Sequence, residues 1–368
     1  METPVTTVGD IVAAVDRLAP FGLAESWDNV GLLLGDESAK VKRVLVALDV
    51  GDEVLAEAER VKAECVVAHH PLIFKSVDRL TGATRQGRLA LRLVGGGRSL
   101  VAAHTNLDGA PGGLCDILAD WLGLVDTRPL SPAKRERPYK VVVFVPASSL
   151  GAVQAAAFEA GAGRIGAYTE CSFAVRGEGT FLPGAGAAPS AGEAGRRNTV
   201  SEARLEVVTD AGHLGDVMAA VRGAHPYETP AVDAYALAPP AAGGGVGRVG
   251  RLEQPKSLGE LADAVKGALG LTVAGVAGDA SARVDRVGVV TGNGGGFADA
   301  AAGCDAYVTG ELKLSEVQDL VAAGVGVVLG GHYETERIPL EAWAPRLAET
   351  AGVDVRLSEG ERGMIAAR

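Results

Sequence analysis

Residues 42–70 read "KRVLVALDVGDEVLAEAERVKAECVVAHH". After two cations, 44–50 is an apolar run broken only by Asp49, the pattern of a strand buried on both faces. "DEVLAEAERVKAE" follows with apolar residues at helical spacing and an Asp near its start, so it reads as an amphipathic helix. "CVVAHH" is then a second short strand. Strand, helix and strand in this order predict a parallel or mixed sheet covered by helices.

The same style extends in both directions. "GDIVAAVDRLA" (9–19) places Ile11, Val12, Val15 and Leu18 on one helical face. "RSLVAAHTNLD" (98–108) reads as a third strand and "GGLCDILADWLG" (112–123) as a helix. In the last third, "DRVGVVTGNGGG" (285–296) is a strand running into a glycine turn, with a short helix from Phe297. "CDAYVTG" (304–310) and "VGVVLGGH" (325–332) are strands flanking the helix "KLSEVQDLVAAG" (313–324). The two ends read as halves of one α/β layer sharing one sheet.

The middle differs. Beyond the charged, Pro-bearing stretch "RPLSPAKRERPY" (128–139), 140–163 reads strand then helix, and 168–184 reads as a strand pair or hairpin. "GAGAAPSAGEAGRRN" (184–198) is a low-complexity loop. Residues 201–237 then read strand, helix, strand. The βαββαβ order is that of a ferredoxin-like α+β domain. The expected organisation is residues 1–133 and 241–368 as two parts of one α/β domain, with 134–240 inserted.

Composition narrows the function classes. The formal net charge of −11 argues against non-specific binding to nucleic acid or an anionic membrane, both of which need a positive field. The four cysteines form no CxxC pair and read as reduced thiols packed as small hydrophobes. No amino-terminal signal segment and no membrane-length apolar run is seen, so a cytoplasmic protein is expected.

Chemistry concentrates at strand ends. His69 and His70 close "CVVAHH" ahead of Pro71, at the carboxyl end of a strand, where open α/β sheets bind ligands. Adjacent strand residues point to opposite sides, so both serve one site only if the strand has ended and the chain is turning. His104 and Asp108 follow the next strand, although Asn106 and Asp108 before Gly109 also suit a plain turn. His332 and Glu336 are i and i+4 after "VGVVL", one face of any helix that begins there. Four of the six histidines thus stand just after apolar strands, with two carboxylates among them. They suffice for two cations if Glu336 is shared and each ion takes one histidine of the doublet. Two ions about 3.5–4 Å apart can clamp the attacking and leaving oxygens of a displacement.

Other features carry two readings each. "GNGGGF" (292–297) is either a phosphate cradle of backbone amides or a tight turn beside the metals. Glu311 is either a general base or, with Lys313, a helix cap; Asn29 either orients a ligand or shapes a turn. His225 reads as structural.

"WDNVGLLLGD", "VVAHHPLIF", "AAHTNLD", "GNGGGF", "DAYVTGELK" and "GHYETE", in this order over nearly the whole chain, resemble the NIF-three-like dinuclear-metal-centre proteins. Bacterial members are commonly labelled GTP cyclohydrolase I type 2 homologues. The resemblance implies His69, His70, Asp108, His332 and Glu336 as ligands of two divalent ions (zinc, iron or manganese), with Glu336 bridging. It implies His104 as a proton shuttle or substrate contact beside the metals. It also implies a NIF-three-like α/β domain, a PII/CutA-like insert around "HPYETPAVDAYAL" (225–237), and a toroidal homohexamer. Many members carry a histidine shortly after "TG(E/D)xK", where this chain has Leu314 and Ser315.

The expected function is a metal-dependent hydrolase of a nucleotide or related small molecule, GTP being opened to formate and dihydroneopterin triphosphate in the labelled activity. The alternative is a non-catalytic metal-binding hexamer acting as scaffold or regulator through the insert. Nucleic acid is not an expected partner.

Overall fold

A computed structural model describes residues 6–133, 138–166, 168–184, 186–238 and 244–361. Two compact units divide the chain: 1–133 with 243–368, and 134–242. Of the expected boundaries, 133/134 falls at the edge of the described residues and 240/241 falls outside them.

The first unit contains two sheets, where the sequence led us to expect one. The first sheet has Arg43–Ala47, Cys65–Ala68 and Ser99–Ala102 as parallel neighbours. Gly31–Leu34 is antiparallel on one edge and Asp354–Leu357 is parallel on the other. The second sheet runs Gly275–Ala277, Gly326–Leu329, Ala306–Glu311, Arg283–Asn293, Gly245–Ser257 and Leu124–Pro132. Its middle trio is parallel. Each sheet therefore takes one edge strand from the other half of the chain. Apolar periodicity identifies a strand but not its partner, so the single-sheet expectation failed at pairing rather than at strand location.

Helices cover both faces of the first sheet, which explains its runs without polar interruption. Val44, Val46 and Val67 pack on Ile11, Val15, Trp343 and Leu347, from the helices Val8–Leu18 and Leu340–Ala351. Leu45, Val66 and Leu100 face Leu55, Leu89 and Leu93, from Asp52–Arg60 and Arg85–Gly95. The second sheet packs Val287, Val289 and Val308 under the helix Leu258–Leu269, which starts with a capping box between Ser257 and Glu260. The short helix expected from Phe297 is a 3₁₀ helix that starts two residues earlier and spans Gly295–Ala301.

The second unit is a four-stranded antiparallel sheet with two helices on one face. Along the sheet the order is Ser172–Phe181, Asn198–Thr209, Tyr139–Pro146, Val232–Ala236, the βαββαβ arrangement. Residues 168–184 hold one strand, not a hairpin of their own. Ser172–Phe181 pairs with Asn198–Thr209, and the low-complexity segment connects the two. Asn198 ties that connection down, donating to the Glu193 and Arg196 carbonyls and accepting from the Glu193 amide. No helix among the described residues is long and apolar enough to cross a membrane.

Candidate metal centre

In the first unit, strand ends from both sheets bring the chemistry together. Cys65–Ala68 ends before His69, so the doublet lies in a bend where both rings can turn the same way. Their centroids are 5.2 Å apart. His104 follows Ser99–Ala102, and Asp108 sits on the short helix Thr105–Gly109. From the second sheet, Gly326–Leu329 leads into the helix His332–Arg337, where the i, i+4 spacing sets His332 and Glu336 on one face.

Three imidazoles share one arrangement. His69 Nδ1 is 2.8 Å from the Ala103 carbonyl, which makes that nitrogen the donor and leaves the Nε2 lone pair free. His70 Nδ1 lies 3.0 Å from Asp49 Oδ1, and His332 Nδ1 lies 3.1 Å from Glu311 Oε1. All three Nε2 atoms converge on Glu336. His69 Nε2 is 3.7 Å from Oε1, while His70 and His332 Nε2 are 3.0 and 3.2 Å from Oε2. Asp108 Oδ2 is 3.6 Å from His69 Nε2. Two donor triads result, His69–Asp108–Glu336 and His70–His332–Glu336, each with its ligand atoms within 4.8 Å of one another. A third grouping joins His104 to His69 and His70.

The donors fit a cation. His69 Nε2 is buried and reaches no partner at hydrogen-bond distance, its nearest carboxylate oxygens being 3.6 and 3.7 Å away, an expensive arrangement unless something else satisfies it. Without a cation, protons hold the cluster together. Burial disfavours charge on His70, but Asp49 and Glu336 outweigh it and raise its pKa to about 10. Glu336, with Glu311 assisting, raises His332 to about 9. Burial alone would push Glu336 up; the three imidazoles instead hold it well below the usual carboxylate range. Asp108 is raised by its burial.

Several groups that the sequence did not mark orient these side chains. Thr291 Oγ1 donates to Asp108 Oδ1 at 2.6 Å. Asp28 accepts from Thr105 N and lies 2.8 Å from His104 Nδ1, and its pKa falls to about 2; burial opposes the fall, and His104 and Thr105 drive it. Asp49 lies in "VALDV" two residues past the strand Arg43–Ala47, and the strand-end rule that marked the other residues would have found it. Thr291 carries no such signal.

Glycine makes room. Gly292 has φ +63°, and a Cβ there would lie 1.9 Å from Glu336 Oε1. Of the two readings of "GNGGGF", the turn is the one seen. The Gly292, Gly294 and Gly295 amides donate to Thr335 Oγ1, the Glu311 carbonyl and Asn293 Oδ1, so none of these three faces a phosphate. Asn29 donates to the Ile73 carbonyl and fixes the loop behind the doublet. Lys313 is solvent-exposed beside Glu316. His225, in the second unit, bonds the Phe144 carbonyl and the Tyr227 amide, a structural role. Trp27 and Phe74, both exposed, stand with ring centroids 6.3 Å from that of His104.

An α/β unit with a His/carboxylate cluster across the strand ends of two sheets defines the class of protein. The sequence model of Duf34/NIF3 (NGG1p interacting factor 3) matches residues 6–362, and the chain belongs to that family. It is 42% identical over 335 residues to a Mycobacterium tuberculosis protein named GTP cyclohydrolase 1 type 2 homolog, covering 89% of this chain and 88% of that one. A Bacillus subtilis protein of the same name is 36% identical over 356 residues, 95% of each. Among solved structures, a Bacillus cereus protein related to NIF3 superposes with TM-score 0.70 at 33% identity, covering 100% of both chains. A Staphylococcus aureus protein gives 0.74 at 28%, also over 100% of both.

Proposed function

We propose that the chain binds two divalent cations and acts as a metal-dependent hydrolase on a nucleotide or related ring-bearing small molecule, of the GTP cyclohydrolase 1 type 2 kind. The observation that supports this most is the convergence of three imidazole Nε2 atoms on the buried Glu336 carboxylate. In this reading His69 and Asp108 serve one ion, His70 and His332 the other, and Glu336 both. Imidazole with carboxylate suits zinc, iron(II) or manganese. When bound, such ions supply Lewis acidity and acidify water at neutral pH.

The chain's own residues perform the remaining tasks. The Ala103 carbonyl, Asp49 and Glu311 hold the three imidazoles in one tautomer and orientation. In this reading Glu311 positions His332, a role beside the two the sequence offered for it, general base and helix cap. Asp28 holds His104, which is the group placed to give or take a proton at the substrate. Trp27 and Phe74 beside it offer apolar faces to a planar ring. Because three amides of the glycine turn are engaged within the fold, a substrate's phosphates would be met elsewhere. The same reading takes the second unit as a PII/CutA-like insert and the protein as a cytoplasmic homohexamer.

The test is turnover. Protein of defined metal content is incubated with GTP and with phosphoester and amide substrates, beside Glu336→Ala. Turnover lost in the variant supports the enzyme. Full metal occupancy with no turnover on any of them favours the scaffold reading.

A further inference from the structure

The second unit carries a cavity of its own, about 390 Å³, within the size range of small-molecule sites. Phe144, Phe181 and Tyr227 supply aromatic walls, and Glu178, Glu202 and Glu228 supply carboxylates, with no Lys or Arg in the lining. Among the described residues none of these three carboxylates is in an ion pair. Two cations of the same sheet, Lys140 and Arg204, both pair with Glu206, at 3.3 and 2.9 Å, and the Arg204 guanidinium lies 5.6 Å from the centroid of the Phe144 ring. Glu228 accepts one bond, from the Ala188 amide.

Two details indicate a surface shaped for a donor. Tyr227 Oη is a buried atom beside Glu202; burial, with the Glu202 carboxylate next to it, raises the phenol to about 12. The strand Ser172–Phe181 carries Gly179 diagonally across from Glu202, whose register partner is Gly177, and a Cβ at Gly179 would lie 2.0 Å from the Glu202 carboxylate. The absent side chain leaves the Glu202 headgroup its place.

We propose that this cavity is a binding site for a small organic cation, a protonated amine or a guanidinium on an apolar body. The positive group would meet Glu202 and its carboxylate neighbours and donate to Tyr227 Oη. The apolar body would lie on the aromatic walls, a combination that favours cations over neutral isosteres. The proposal does not depend on the metal centre.

Calorimetric titration of the full, metal-loaded chain with benzylammonium, benzyl alcohol and benzoate tests it. Saturable binding of one benzylammonium per chain is expected, at least tenfold tighter than benzyl alcohol, with benzoate not binding. Glu202→Gln and Tyr227→Phe should each weaken benzylammonium about tenfold, while Glu336→Gln leaves it unchanged. Melting curves show which variants are folded, and Glu228→Gln stands in for either that is not. No benzylammonium binding at millimolar concentration, equal binding of benzyl alcohol, insensitivity to the cavity variants, or loss in Glu336→Gln would overturn the proposal.

Discussion

Asp28 and His104 come from segments 76 residues apart, yet Asp28 Oδ1 lies 2.8 Å from His104 Nδ1. The pairing fixes which ring nitrogen of His104 faces the centre, since a carboxylate there requires Nδ1 to be the donor. Asp28→Asn keeps the shape but no longer requires that tautomer. Turnover should fall about 10²-fold, as for loss of a positioned acid–base group, with KM and metal content nearly unchanged. Steady-state kinetics with metal analysis check this. A parallel loss of metal would place Asp28 among the groups that hold the ions.

The imidazole pKa values predict opposite pH trends for two forms of the protein. In the metal-free form His70 and His332 are raised from 6.5 to about 10 and about 9. A group raised on folding stabilises fully below its unfolded pKa, and that contribution is lost as pH climbs through the folded value. The metal-free melting temperature should therefore fall between pH 6.5 and 10. Metal binding displaces those protons, so affinity should rise over the same window, with about one proton released from each of the two histidines at pH 7. Calorimetry in buffers of different ionisation enthalpy reads the release. Heats independent of buffer would contradict the protonated cluster.

Gly292→Ala puts a methyl group where Glu336 Oε1 stands and forces a side chain into φ +63°. The expected cost is about 1–3 kcal/mol of stability. Displacing the shared carboxylate should also weaken metal affinity about 10–100-fold, the range seen when groups supporting a metal site are altered. Thermal melting and metal titration measure the two effects separately. An unchanged affinity would mean that Glu336 does not need its present position.

Trp27→Ala removes an exposed aromatic face near His104 and no ligand. KM for a nucleotide substrate should rise roughly tenfold, within the range for one lost base-stacking contact, while kcat and metal content hold. A fall in kcat at constant KM would assign Trp27 to the chemistry instead of to recognition.

Most of the candidate donor set was legible in the sequence because each member obeys a local rule: a polar residue within a few positions of the end of a buried strand, or an i, i+4 pair on a helix. Asp49 obeys the same rule, and only its single occurrence hid it. What local rules cannot give is which strand ends meet. Asp354–Leu357 and Leu124–Pro132 each join the sheet of the opposite half, pairings that no periodicity records. Thr291 is an ordinary strand residue until Asp108 reaches it. Arg248 is similar: buried in a strand, it binds Asp116 and the Ala110 carbonyl just past the Asp108 helix, yet in sequence it is one of many arginines.

The central claim is that two cations share Glu336, and metal stoichiometry tests it most directly. Protein purified without chelator and reconstituted with zinc, iron(II) or manganese in separate preparations should hold about two ions per chain. Glu336→Gln, shown folded by circular dichroism, should retain fewer than one. Two ions per chain retained in that variant, or none bound by the wild-type chain with any of the three metals, would contradict the account.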